Sequence, residues 1–158
     1  MGGIKKTING NQKNIAEYIK RREEFRKIYG VGSLEYRERV RKINIKIGNW
    51  RRTLRRQKEL RNKIDELILN IKTFMGYDLF KNNKSPKTKE GKCAKGIYFK
   101  YGIENKFYGT DLSNRIGLKG DWTASKYRRR FTRSFKTNKY NREMYHRFLN
   151  YIKQIKNE

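Results

Sequence analysis

Leu112-Ser113-Asn114-Arg115-Ile116-Gly117-Leu118, continued through Lys119-Gly120-Asp121 into Trp122-Thr123-Ala124-Ser125-Lys126-Tyr127-Arg128-Arg129-Arg130-Phe131, is the stretch that decides how this chain is read. Leu112 and Ile116 stand one four-residue step apart, with Leu118 as a third inward candidate, and Tyr127, Phe131 and Phe135 follow at four-residue steps. Between them Gly117 supplies the residue type most at ease in a left-handed backbone. The pattern predicts two short helices joined by a turn. Thr110 is expected to cap residues 111–118, and Thr123 or Asp121 the helix through Phe135. Ser113 is small enough to let the helices approach, and Ile116 with Leu118 would pin them together. The second helix would then present Ser125, Lys126, Arg128, Arg129, Arg130 and Arg133 outward.

Working outward, Asn138 opens a last helix with Tyr140, Met144, Phe148, Ile152 and Ile155 as buried candidates, and residues 94–101 carry Ile97, Tyr98 and Tyr101 on one face. Residues 81–92 are polar, hold the only proline and lack apolar periodicity, so they read as a linker. Upstream, residues 12–29 place Ile15, Tyr18, Ile19, Phe25 and Ile28 at helical spacing, with Asn11 or Asn14 as a cap. Ser33 then caps the most periodic segment. Tyr36, Ile43, Trp50, Gln57, Ile64 and Ile71 interleave with Val40, Ile47, Leu54, Arg61, Ile68 and Met75 in alternating steps of four and three, a heptad seam with one polar layer. Gly48-Asn49 leaves open whether this is one long helix or a hairpin. The expected fold is all-α: residues 1–80 a basic helical region, 81–92 a linker, and 93–158 a small helix-turn-helix bundle.

Charge narrows the function. The 158 residues carry 42 Lys and Arg against 15 Asp and Glu, a formal charge of +27. Such an excess resists compaction and calls for a polyanion, and nucleic acid gains from each phosphate contact by counterion release. The outer face of the long segment is equally one-sided. Arg51, Arg52, Arg55 and Arg56 stand where a merely solvated face would alternate signs. Aromatic residues make up 13%, too many for a disordered basic tail. No apolar run approaches the roughly 20 residues of a membrane span. One Cys and one His cannot build a structural zinc site, so neither metal nor cofactor is expected. Gly96-Ile97-Tyr98 invites comparison with the GIY-YIG nucleases, but Tyr101-Gly102-Ile103 follows too soon and in the wrong order. Glu104, Asp111 and Asp121 are too few and too scattered for a two-metal site. The expectation is a protein without enzymatic activity.

Residues 94–155 resemble the C-terminal DNA-binding domain of the bacterial chromosomal replication initiator, a Trp-repressor-like helical fold. Ile116-Gly117 matches the end of one helix in that family, and Asp121-Trp122-Thr123-Ala124 stands where the family opens its recognition helix with Asp-His-Thr-Thr. The resemblance implies that Thr123 and its successors face bases and that Lys119 lies near the backbone or minor groove. Trp122 replaces the family's His, the turn is shorter, and no ATPase domain precedes this segment. The physical reading assigns Thr123, Ser125 and Arg129 to bases, and Lys119, Lys126, Arg130 and Arg133 mainly to phosphates, with Arg128 beside Lys126 in the same nucleic-acid-binding set. Two functions follow as expectations: a DNA-binding regulator, replication accessory or packaging factor, or a structural component of a virion or ribosome-like particle. The partner is nucleic acid, DNA ahead of RNA. The seam from Tyr36 to Met75 would serve a homodimer or packing within a larger assembly. The expected location is the cytoplasm and nucleoid, or the inside of a viral particle.

Overall fold

The computed structural model describes residues 3–80, 86–118 and 120–157. Among them are six helices and no strand: α1 (Gly3–Tyr29), α2 (Leu34–Met75), α3 (Lys89–Glu104), α4 (Gly109–Arg115), α5 (Asp121–Ser134) and α6 (Lys139–Asn157). The all-α expectation holds. Contacts divide the chain into two compact units that part inside α2, residues 2–60 and 61–158. That division differs from a boundary at 81–92. Residues 61–75 belong with the C-terminal helices because Ile64, Leu67, Ile68 and Ile71 are all buried. Residues 81–85 lie outside the described residues, and Lys89–Lys92 form the first turn of α3 rather than linker.

In the first unit, α1 and the start of α2 form a helical hairpin through Gly30, which takes φ +70°. Ser33 caps α2 as expected, its Oγ accepting from the Tyr36 amide at 3.2 Å. Ile15, Tyr18, Arg22, Phe25 and Tyr29 of α1 are half-buried, a heptad spacing that includes Arg22 and leaves Ile19 and Ile28 exposed. The Tyr18 ring lies 4.9 Å from that of Trp50, edge to face, and Arg39 sits over both Phe25 and Tyr29. Ile43 and Ile47 are buried inside this unit, so an interface between copies through them would first have to open that packing. Gly48-Asn49 does not break α2, which runs unbroken for 42 residues. One glycine costs only about 1 kcal/mol within a helix, less than the flanking buried isoleucines return.

In the second unit α3 is the helix the others pack on: it contacts α4, α5 and α6, and α5 most extensively. Residues 93–99 are all buried, so the helix is covered around its whole circumference, not on one face. Small residues make this possible. A Cβ on Gly96 would fall 2.1 Å from Phe131 Cδ2, and one on Gly102 would fall 2.8 Å from Leu112 Cδ1. Thr88 caps α3, its Oγ1 accepting from the Gly91 amide at 3.1 Å. Sequence periodicity marked Ile97, Tyr98 and the half-buried Tyr101, but not Phe99 or Lys95, which are as inaccessible as Ile97 and Tyr98.

Candidate nucleic-acid interface

α4 ends where the sequence requires it to. The Leu118 amide bonds Ser113 O at 2.8 Å and the Gly117 amide bonds Asn114 O at 3.2 Å, with Gly117 at φ +75°. This is a Schellman ending, which needs a left-handed residue at that point. Leu112, Ser113 and Ile116 are buried against the neighbouring helices, and the Ser113 hydroxyl has no hydrogen-bond partner among the described residues. The Tyr98 hydroxyl donates to Leu112 O at 2.9 Å, tying α4 to α3. Burial drives the Tyr98 phenol far above its ordinary range. Arg115 reaches across to Asp65 of α2 with two hydrogen bonds, Nη2 to Oδ2 at 2.7 Å and Nε to Oδ1. α4 begins at Gly109 and α5 at Asp121, and neither starts on a side-chain cap, so Thr110 and Thr123 do not serve as caps.

α5 buries Ala124 and Phe131 and half-buries Tyr127 and Phe135. Tyr127 stacks on Phe99 at 5.3 Å, and Phe131 meets Phe135 at 5.1 Å and Tyr145 at 6.1 Å. Beneath Tyr127 lies Lys95, wholly inaccessible, its ammonium 5.8 Å from the ring and its pKa lowered by desolvation. With that line turned inward, the ~100° step per residue fixes the outer pole as Trp122, Lys126, Arg129 and Arg133. Trp122, Arg129 and Arg133 are exposed, and Lys126 is half-buried with its ammonium 4.3 Å over the Trp122 ring. Arg130, exposed, and Thr123, half-buried and already engaged, lie toward one flank. Ser125 and Arg128, both half-buried, lie toward the other. The turns therefore bring Lys126, Arg129 and Arg133 into one stripe and set Thr123 apart from it. Lys119 lies outside the described residues.

The second flank opens into a cleft of about 340 Å³ between α3 and α5, lined by Lys100, Glu104, Arg128, Arg129, Thr132 and Arg133. Its one carboxylate is already occupied. Glu104 accepts from Lys100 and from the Tyr145 hydroxyl, and burial followed by that hydrogen bond pushes the Tyr145 phenol up. Lys100 is itself held between the rings of Tyr145 and Phe135, 4.9 and 5.6 Å away. Among the described residues, no ion pair involves Lys126, Arg128, Arg129, Arg130 or Arg133. Among the described residues these five cations thus carry no paired acid, and the one carboxylate in the cleft, Glu104, is held by Lys100 and Tyr145. Sequence reasoning did not reach Lys100 and Tyr145, and it weighed Glu104 only as a metal-site carboxylate; the i to i+4 spacing of Lys100 and Glu104 was the only signal for this cluster.

The first unit carries a separate basic surface. Arg51, Arg52, Arg55 and Arg56 are all exposed. Arg55 pairs with Glu59 at 3.1 Å and Arg52 donates to Asn49 Oδ1 at 2.8 Å, while Arg51 and Arg56 are in no ion pair among the described residues. An open groove of about 720 Å³ beside them is lined by Tyr36, Arg37, Val40, Arg41, Asn44, Ile45, Gly48 and Arg52. No group of three or more His, Cys, Asp or Glu side chains converges among the described residues. Cys93 is fully buried, and desolvation raises its thiol to about 12. No helix among the described residues is long and apolar enough to cross a membrane. No protein-family model matches this chain, and no match was found among curated proteins or solved structures.

Proposed function

We propose that this chain is a nucleic-acid-binding protein, with DNA preferred to RNA, which docks α5 against its ligand and catalyses no reaction on it. The observation that carries this reading is the outward stripe of Lys126, Arg129 and Arg133, flanked by Arg128 and Arg130, with no acid paired to it among the described residues. A protein keeps such a face unpaired at a cost in self-repulsion, which a phosphate backbone removes. The 14-residue helix is about 21 Å long, and a helix of that kind fits a major groove. α4, the glycine turn and α5 follow one another as in a helix-turn-helix reader. The resemblance to the replication initiator's DNA-binding domain points the same way. The arginines at 51, 52, 55 and 56 add sequence-independent affinity.

Titration of the full-length protein with duplex DNA and duplex RNA across a salt series tests this. Wild type should bind with a steep salt dependence. Arg133→Ala should lower affinity for all sequences and flatten the salt slope by about one unit. Arg129→Ala should cost about 1–3 kcal/mol on a preferred site and less on random sequence. Equal losses on both would point instead to a structural component of a nucleoprotein assembly. Salt-insensitive or absent binding would refute the proposal.

A further inference from the structure

We infer that Trp122 stacks on an unpaired base, so that the preferred ligand is a nucleic acid in which duplex adjoins an unpaired nucleotide. The inference rests on the nucleic-acid reading above and adds the ligand's shape to it. Trp122 is 71% exposed. The other tryptophan, Trp50, is half-buried against Tyr18, so the two are used differently. Among the described residues, Trp122 packs against no other aromatic ring, and the only cation over it is Lys126. The fold therefore gains little from so large a ring at this position.

Its placement suits a ligand. Trp122 is the second residue of α5, just after Gly120, whose φ of +83° sets the entry into the helix. In groove-docked helices this end points toward the bases. A duplex presents base edges to a groove and keeps base faces covered by stacking. A ring uses its face at least cost where stacking is already open, at a bulge, an end, a loop or a single strand, because inserting it into an intact stack costs about a few kcal/mol of unstacking. Lys126 covers one face of Trp122 and leaves the other for a base, while its charge lies within reach of that nucleotide's phosphate. Arg129 and Arg133 continue the same stripe and would follow the backbone onward. An anionic membrane fits less well. The apolar line of α5 points into the core, so its outer face has one aromatic residue and no apolar stripe to bury.

The test uses full-length protein carrying Trp50→Phe, which leaves Trp122 as the only tryptophan. The probes are a blunt DNA duplex, the same duplex with a one-nucleotide bulge, a single strand and anionic vesicles. Bulged duplex and single strand should quench Trp122 fluorescence, and the bulged duplex should bind most tightly. Trp122→Ala should lower affinity for the bulged duplex roughly 5- to 150-fold, with little effect on the blunt duplex, and Trp122→Phe should retain most of the preference. If Trp50→Phe unsettles the first unit, the ratio of bulged to blunt affinities for wild type and Trp122→Ala decides the matter without fluorescence. An unchanged ratio in Trp122→Ala, with Arg133→Ala still weakening both duplexes, overturns the stacking inference and leaves the nucleic-acid reading standing. Quenching by vesicles alone overturns it as well. No binding to any nucleic acid removes both.

Discussion

Replacing Gly96 with alanine separates packing from helix propensity, because the two predict opposite signs. Propensity favours alanine by about 1 kcal/mol in a helix interior. The added methyl, however, would lie 2.1, 2.4 and 2.6 Å from Phe131 Cδ2, Cγ and Cε2. Ordinary carbon contact begins near ~3.5 Å, so something must move by about 1 Å or more. The ring cannot swing aside cheaply. It is 5% exposed and is wedged against Phe135 at 5.1 Å and Tyr145 at 6.1 Å. Either α5 lifts from α3 or Phe131 leaves its site, and losing a buried phenylalanine costs about 3–5 kcal/mol. Subtracting the propensity gain leaves Gly96→Ala destabilised by about 2–4 kcal/mol. With urea slopes of about 1–3 kcal/mol per molar, the midpoint followed by near-ultraviolet circular dichroism should fall by roughly 1 M or more. Adding Phe131→Leu should recover part of the loss, with a coupling of about 0.5–3 kcal/mol. A Gly96→Ala protein as stable as wild type would show that α3 and α5 do not approach as closely as described.

Cys93 should resist alkylation at pH 8 in the folded protein and react once urea unfolds it; prompt labelling of native protein would contradict its burial. Because folding raises that thiol from 9.0 to about 12, its contribution to stability is complete below pH 9 and declines as pH rises toward 12. Urea midpoints measured across that window should fall with pH, and Cys93→Ala should flatten the decline. Tyr98→Phe should cost about 1–3 kcal/mol, since it strands the buried Leu112 carbonyl; thermal unfolding unchanged from wild type would mean that the carbonyl finds another donor.

The features legible in the sequence were those governed by local chemistry. Ser33, Asn138 and Gly117 act where their side chains or backbone freedom place them. Asn138 Oδ1, for example, accepts from the Asn141 amide at 3.2 Å, at the start of α6. That residues 34–75 are helical was legible too, because the apolar period there is helical throughout. What escaped was how completely α3 is covered. Beyond the face of Ile97 and Tyr98, Gly91, Cys93, Ala94, Gly96 and Gly102 bury the helix by being small rather than by being oily. Periodicity counts large apolar side chains and passes over positions where a neighbour supplies the bulk. Lys95 escaped for the same reason: nothing in a lysine's own neighbourhood announces that Tyr127 from a distant helix will lie over it. In the candidate site, the basic residues of α5 were plain from composition. The cleft was not, because Lys100, Glu104 and Tyr145 come together only when α3, α5 and α6 do.

α2 belongs to both compact units, and this bears on how the chain can be shortened or recombined. A cut at Leu60–Arg61, where contacts divide the chain, would deprive residues 61–64 of the carbonyls of residues 57–60 that their amides bond. Ile64, 1% exposed, would then sit in a newly made helix end beside the core. The natural seam is instead the Gly30–Ser33 turn, where a helix already begins on its own cap. A descendant retaining the C-terminal helices therefore inherits the whole of α2, and with it the arginines at 51, 52, 55 and 56, whether or not α1 is kept. The two basic surfaces are bound into one unit of inheritance by a single helix.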